Sequence, residues 1–473
     1  MELQADLCII GAGSGGLSLA SGAAQLGLKV ILVEENLMGG DCLNYGCVPS
    51  KALLAAAKTF NNSINAKDLG IINENTRVDF PKVKQYIKKV IKTIEPHDSV
   101  ERFTKLGANV IKGHAEFIDK TEIRVNDQNI KAKKFIIATG SKPLIPTING
   151  LDNIDFLTNE NIFELDYLPK HLIVLGGGPI GCELGQAFKL LGSEVTILAR
   201  SQILPKDDSE LVDILRNKFK QDGINLLENL KFNSVTKVND EIHLEINTKD
   251  GIKIIKGSDL LIAAGRAPDV SSLNLEKANV AYTSKGIEVD NTLKTTNKSI
   301  YAIGDVIGQY QFTHIAGYHA SIVIKRSIFL TPAKIDYSAI PWATYTSPEL
   351  AHVGMTEEQA KAFDKKSRVL TFDFSENDRA QTDNATLGKI KVYASKSGYV
   401  LGASILGSHA SELLMPWSIA ITQKIKLKDL AGLIVAYPTL SEINKFVAGS
   451  FYKELLFSKK TKSLVKLLNR VFS

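Results

Sequence analysis

Two stretches of this chain repeat one pattern of apolar runs. Leu7-Cys-Ile-Ile10 follows Asp6 with no polar alternation, as expected of a strand buried on both faces. It runs into Gly11-Ala-Gly13-Ser-Gly-Gly16, then into small and apolar residues that read as a helix, and Lys29-Val-Ile-Leu-Val-Glu34 reads as the next strand. The pattern returns as His171-Leu-Ile-Val-Leu175, the turn Gly176-Gly-Gly178-Pro-Ile-Gly181, and Ser193-Glu-Val-Thr-Ile-Leu198. Strand, glycine turn, helix and strand in this order predict a dinucleotide-binding unit. Its glycines permit the tight turn, the backbone approach to pyrophosphate and the close helix–strand contact. An α/β chain with two Rossmann-type units is expected.

The two units end their second strands differently. Glu34 lies about 20 residues past the first turn, where a carboxylate accepts hydrogen bonds from a ribose. The second unit ends Ala199-Arg200-Ser201, with no acid. A missing carboxylate removes repulsion against a 2′-phosphate, and Arg200 can pair with it. NADPH is expected over NADH. If Arg200 is instead a solvated surface charge, both nucleotides bind.

Between the two units stands Gly39-Gly-Asp-Cys-Leu-Asn-Tyr-Gly-Cys-Val-Pro-Ser-Lys51. An undistorted helix would hold Cys42 and Cys47 about 8 to 9 Å apart at Cα. A disulfide wants about 4.4 to 6.8 Å. Gly46 can supply the unusual backbone that closes the gap. Pro49 suits the first turn of the alanine-rich helix beyond it, so Cys47 is expected just ahead of backbone N–H groups that favour thiolate. A redox-active disulfide is expected here. No second ligand pair accompanies the cysteines, so no metal site is expected.

These residues together resemble the FAD-dependent pyridine nucleotide–disulfide oxidoreductases, the group containing dihydrolipoamide dehydrogenase, glutathione reductase and mercuric reductase. The resemblance extends from residue 3 to about 450. It includes Ala138-Thr-Gly140-Ser141, Ala263-Ala-Gly265-Arg-Ala-Pro268, Ile300-Tyr-Ala-Ile-Gly-Asp305 and Pro341-Trp-Ala-Thr-Tyr-Thr-Ser-Pro-Glu349. It implies bound FAD and electron flow from nicotinamide to flavin to cysteines. Asp305 matches the position that holds the ribityl chain, while Lys51 and Glu183 match a pair beside the flavin N5. Cys47 resembles the thiol adjoining the flavin, and Cys42 the interchange thiol that meets the substrate. Cys8 and Cys182 read as small core residues. The resemblance further implies a C-terminal α+β interface domain and a homodimer whose partner completes each site.

One departure bears on the acceptor. The disulfide reductases carry a histidine before Pro-Thr and a glutamate shortly after. This chain reads Ala436-Tyr437-Pro-Thr-Leu-Ser-Glu442. Glu442 is kept, but a phenol with a pKa near 10 replaces an imidazole near 6.5 and is a poor base at neutral pH. Exchange with disulfides is expected to be weak. Mercuric reductases also lack that histidine and resemble Thr196-Ile-Leu-Ala-Arg-Ser201, yet they carry a C-terminal cysteine pair, and no cysteine follows Cys182 here. The acceptor is left as a small molecule or a disulfide. A redox-sensing flavoprotein is the alternative class, and the retained Lys51, Glu183 and Glu442 favour the enzyme.

Composition adds the domain plan. The chain has 473 residues, 44% of them hydrophobic, enough for about three domains. The expected division is 1–148 for FAD, 149–265 for the nicotinamide nucleotide, 266–335 returning to the flavin, 336–450 for the interface, and 451–473 as a tail. Leu7 to Leu28 has no charged residue and could mimic a membrane span, but its glycines and serines mark the nucleotide turn. Four cysteines, two of catalytic type, suit a cytoplasmic enzyme with no leader peptide. No nucleic-acid partner is expected. The tail holds six of the cations against Glu454, and Leu464, Leu467, Leu468, Val471 and Phe472 recur at helical spacing. Such a helix can make weak contact with an anionic membrane surface, or pack its stripe on the dimer with the basic face in water.

Overall fold

The computed structural model describes residues 2–73 and 75–472. Contacts divide the chain into two compact units: Met1–Arg200 with Leu227–Ile335, and Ser201–Leu226 with Asp336–Ser473.

In the first unit, β1 (Glu2–Ile10) lies between β2 (Val30–Glu34) and β4 (Gln128–Ile137), and β3 (Ala108–Lys112) flanks β2. All four are parallel. Their unbroken apolar runs follow from burial on both faces: Ile9, Ile31, Phe135 and Ile136 are buried. A second parallel sheet sets β5 (His171–Leu175) between β6 (Glu194–Leu198) and β7 (Asp259–Ile262). The chain then returns to the first sheet, where β8 (Ile300–Ala302) pairs with the end of β4. This return carries Asp305 to the mouth of the first sheet although it lies far along the chain.

Helices connect these strands. α1 (Ser14–Gln25) follows the first glycine turn, α2 (Gly40–Asn44) and α3 (Cys47–Asn65) follow β2, and α4 (Pro179–Leu191) follows the second turn. α3 packs along α4, and α5 (Thr313–Ser327) packs along α1. Both cysteine-bearing helices therefore start near the C-terminal ends of strands, the edge where open α/β sheets bind ligands. Cys8 and Cys182 are fully buried.

The second unit is built on an antiparallel sheet. Its strands are β9 (Pro341–Thr344), β10 (Glu349–Gly354), β11 (Arg368–Asp373), β12 (Lys389–Ala394) and β13 (Val400–Gly407), in the order β9-β10-β13-β12-β11. Trp417 on α6 (Met415–Thr422) is buried in its core with Val392, Ile405 and Ile443. Ser201–Leu226 is tied in by Lys391, which pairs with Asp208 at 2.7 Å and with Glu210 and Glu357 at 3.1 Å each. Three acids around one buried ammonium hold its proton firmly. Two helices close the chain, α7 (Glu442–Leu456) and α8 (Lys459–Phe472).

Candidate active site

The two glycine turns share their stereochemistry. Gly11 has φ +103°, and a Cβ there would lie 2.4 Å from the Ala138 carbonyl oxygen. A Cβ on Gly16 would lie 1.9 Å from the Gly11 carbonyl oxygen. The second turn repeats both relations: a Cβ on Gly176 would meet Ala263 O at 2.0 Å, and one on Gly181 would meet Gly176 O at 2.0 Å. Backbone oxygens cannot step aside, so only glycine closes either turn. The middle glycines differ in kind. Around Gly13 and Gly178 a Cβ would meet nothing within 4 Å, which leaves the backbone open to a phosphate.

At the end of β2, Glu34 is buried, and its carboxylate accepts from Ala12 N at 2.6 Å and Asn36 N at 2.7 Å. Burial pushes this carboxyl up, and the two N–H groups oppose the shift. At the end of β6, Arg200 is exposed. It lines a cavity of about 420 Å³ with Thr147, Asn229, Lys231 and Phe232. Sequence pattern did not mark Lys231, because the strand that carries it lies outside both glycine units. It adds a second cation to the cavity wall.

The short antiparallel pairing of Ser141–Pro143 with Arg266–Pro268 sets Gly140 against Asp269 at one end and Gly265 against Leu144 at the other. Asp305, on a single helical turn after β8, accepts from the Ser141 hydroxyl at 2.6 Å. Its carboxyl is raised by burial. Arg266 donates to Ser141 Oγ and Ser141 O at 2.7 Å each, and its guanidinium reaches Asp41 at 3.2 Å. Asn159 donates to Asp41 at 2.9 Å and to the Tyr45 carbonyl at 3.2 Å. The short helix α2 that holds Cys42 is thus clamped by Arg266 and Asn159. Arg266 lay inside a recognised stretch without a role; Asn159 had no sequence signal.

The helix break between Cys42 and Cys47 occurs at Tyr45–Gly46, where Gly46 adopts φ −124°, ψ −108°. A Cβ there would lie 2.8 Å from an Asp41 carboxylate oxygen. Cys47 is the first residue of α3, one step inside the expected position, with Gly46 as the cap. Both cysteines are free, with no disulfide between them. A hydrogen bond from the Cys42 thiol, helped by Thr313 at 3.4 Å and the Lys51 cation, pulls the Cys47 thiol down to about 6. The same bond, with burial, holds the proton on Cys42. One turn along α3, Lys51 Nζ pairs with Glu183 of α4 at 2.8 Å. Residues 132 positions apart meet because α3 and α4 pack together.

In the second unit, Tyr437 is 71% exposed, and its hydroxyl donates to Asp378 Oδ2 at 2.9 Å. That bond raises the phenol above its ordinary range. Glu442 does not hold Tyr437. It opens α7 and accepts from Thr439 N at 3.3 Å. Among the described residues no cluster of acids, histidines and cysteines suits a metal ion.

This arrangement can take up two dinucleotides and place a thiolate–thiol pair where they converge. Known proteins share it. Residues 5–320 match the family model for pyridine nucleotide-disulphide oxidoreductases, and residues 340–446 match that family's dimerisation domain, which supports a homodimer. A mercuric reductase of Bacillus cereus is 36% identical over 457 residues, covering 95% of this chain and 72% of the relative. A dihydrolipoyl dehydrogenase of Bacillus subtilis (strain 168) is 37% identical over 451 residues, covering 93% and 95% respectively. The HOCl-induced flavoprotein disulfide reductase RclA from Escherichia coli superposes with a TM-score of 0.85 at 28% identity, covering 94% of this chain and 99% of that one. Open glycine cradles, a low-pKa thiol and two matched domains agree: this chain is an FAD-dependent enzyme of the pyridine nucleotide–disulphide oxidoreductase family.

Proposed function

We propose that the enzyme takes electrons from NADPH and delivers them through the Cys42–Cys47 pair to an acceptor that needs no protein-borne base. Bound FAD supplies the two-electron carrier between nicotinamide and sulfur. Residues 1–148 and 266–335 hold the FAD, 149–265 the nucleotide, and 336–450 the second subunit. The observation that carries this reading is the Lys51–Glu183 pair at 2.8 Å, which ties the cysteine helix to the helix of the second glycine turn. Both nucleotide halves thereby converge on one pair of thiols.

Each side chain has a defined task in this scheme. Glu34 orients a ribose and Asp305 a ribityl hydroxyl. Arg200 and Lys231 face the 2′-phosphate, which NADH lacks. Lys51 holds positive charge beside the redox centre, and Glu183, buried at its ammonium, keeps it aimed. Cys47 stays a thiolate at neutral pH, while Cys42 keeps its proton and serves as the interchange thiol.

Tyr437 sets the acceptor class. Its proton is committed to Asp378, whose bond makes it harder still to remove. It can hold an acceptor through a hydrogen bond but cannot cycle a proton at pH 7. Quinones, which can oxidise the reduced flavin directly and need no such base, are therefore favoured over lipoamide or glutathione disulfide, which must react at the thiols. The test is NADPH consumption by the holoenzyme with quinones, lipoamide, glutathione disulfide and Hg(II) in parallel. Fast quinone turnover with slow disulfide turnover is expected. Robust lipoamide turnover would overturn the role given to Tyr437, and silence with every acceptor would point to a redox sensor.

A further inference from the structure

The last helix has two faces that nothing in the nucleotide chemistry uses. α8 runs Lys459–Phe472, and the Ser458 hydroxyl caps it, accepting from Thr461 N at 3.2 Å. Leu464, Val465, Leu467, Leu468 and Val471 fall on one side at helical spacing. They are 44% to 66% exposed, far too much for a core stripe. On the opposite side Lys459, Lys462, Lys466 and Arg470 recur every three or four residues. Lys460 stands at the border, and the helix contains no acid.

The placement of charge is informative. Lys459, Lys460 and Lys462 occupy the first turn, where the helix dipole is positive and cations are unfavourable. Helix stability does not explain them. A local choice made against the local rule points to an outside partner. The dimerisation-domain match ends at residue 446, before α8 begins.

We propose that α8 is a membrane-surface helix that docks the enzyme on bilayers rich in anionic phospholipid. The apolar face enters the headgroup–acyl boundary, and the cations meet the phosphates. At 14 residues the helix is about 21 Å long, short of the roughly 30 Å hydrocarbon layer, so it lies in the interface. Accordingly, among the described residues no helix is long and apolar enough to cross a membrane. Docking of this kind is independent of which nucleotide or acceptor the enzyme uses.

The test is cosedimentation of the full-length holoenzyme with vesicles of equal phosphatidylglycerol and phosphatidylcholine, against vesicles of phosphatidylcholine alone. Binding to the anionic vesicles, weakened by salt, is expected. Each cation removed should lower partitioning about fivefold, so K462Q/K466Q/R470Q should lose about 10²-fold. L464S/L468S should also detach the protein while NADPH oxidation in solution stays unchanged. In V465W, tryptophan emission should shift to the blue on binding and be quenched by acyl-brominated lipid. Equal sedimentation with both vesicles, none with either, or undiminished binding of the triple variant would overturn the proposal. So would dissociation of the dimer in a chain truncated after Ser458, which would assign the apolar face to a second copy.

Discussion

The two glycine turns are nearly superimposable in their constraints and opposite in the strand ends that face them. Each has a closing glycine whose Cβ would lie 1.9 or 2.0 Å from a backbone oxygen, and each has a middle glycine facing open space. Yet the first strand pair ends in buried Glu34, bound to two backbone N–H groups, and the second in exposed Arg200 beside Lys231. Backbone geometry is therefore common to both turns, and the strand-end side chain is where the two differ and where the proposed choice of dinucleotide rests. The turn is generic; the strand end is specific.

The strongest way to break this symmetry is to close one turn at a time. Gly181→Ala forces a methyl against a backbone oxygen, a strain of about 3 kcal/mol, and should lower kcat/KM for NADPH by roughly 10²-fold. The protein should stay yellow, because the first turn is untouched, and loss of bound flavin in this variant would show that the turns are not independent. Gly16→Ala should do the converse and release FAD, as read by absorbance after gel filtration.

Next in size is Arg200→Ala. A charge-assisted phosphate contact contributes about 1.5 to 3 kcal/mol, so the preference for NADPH over NADH should fall by roughly ten- to a hundredfold. An unchanged kcat/KM ratio would return Arg200 to the role of a solvated charge. Glu34→Gln, the matching change in the other half, should weaken FAD retention by about tenfold while leaving the nicotinamide preference alone.

The seam between the halves can be read by pH. The Cys47 pKa is lowered to about 6, so its thiolate is present above that pH and is protonated as pH falls through it. In the two-electron-reduced enzyme, a long-wavelength thiolate-to-flavin absorbance should be full at pH 8 and drop about tenfold by pH 5. A Cys47→Ser variant that keeps this absorbance would reassign the two thiols. The smallest effect is expected of Lys231→Ala. An exposed cation contributes about 0.2 to 1 kcal/mol, so the NADPH preference should shrink only a few-fold.

Much of this was legible because it is local. Leu7–Ile10 and Val30–Val33 announce buried parallel strands by their unbroken apolar runs, and Gly11 and Gly16 between them have no substitute. The cysteine spacing with Gly46 predicted a break that is present, although Cys47 sits inside the helix rather than ahead of it. Pairings across long separations were legible only through family resemblance. Nothing near Lys51 in sequence points to Glu183, and nothing near Asp41 points to Arg266 or Asn159. Tyr437 illustrates the limit. Its replacement of histidine was plain, but its partner is Asp378, while Glu442 instead takes the Thr439 N–H at the start of its own helix.

The sequence by itself determined the two turns, their strand ends, the thiol pair and the amphipathic last helix. Each is written in spacings of a few residues that fix backbone and facing. The helix start already favoured thiolate at Cys47, but only the tertiary structure decided what holds the charge there, since Cys42, Thr313 and Lys51 converge on one sulfur. It likewise decided that Asp305 meets Ser141 and that Asp378 holds Tyr437. Hydrogen bonds and ion pairs act over a few ångströms, and only chain packing brings residues from distant segments within that reach.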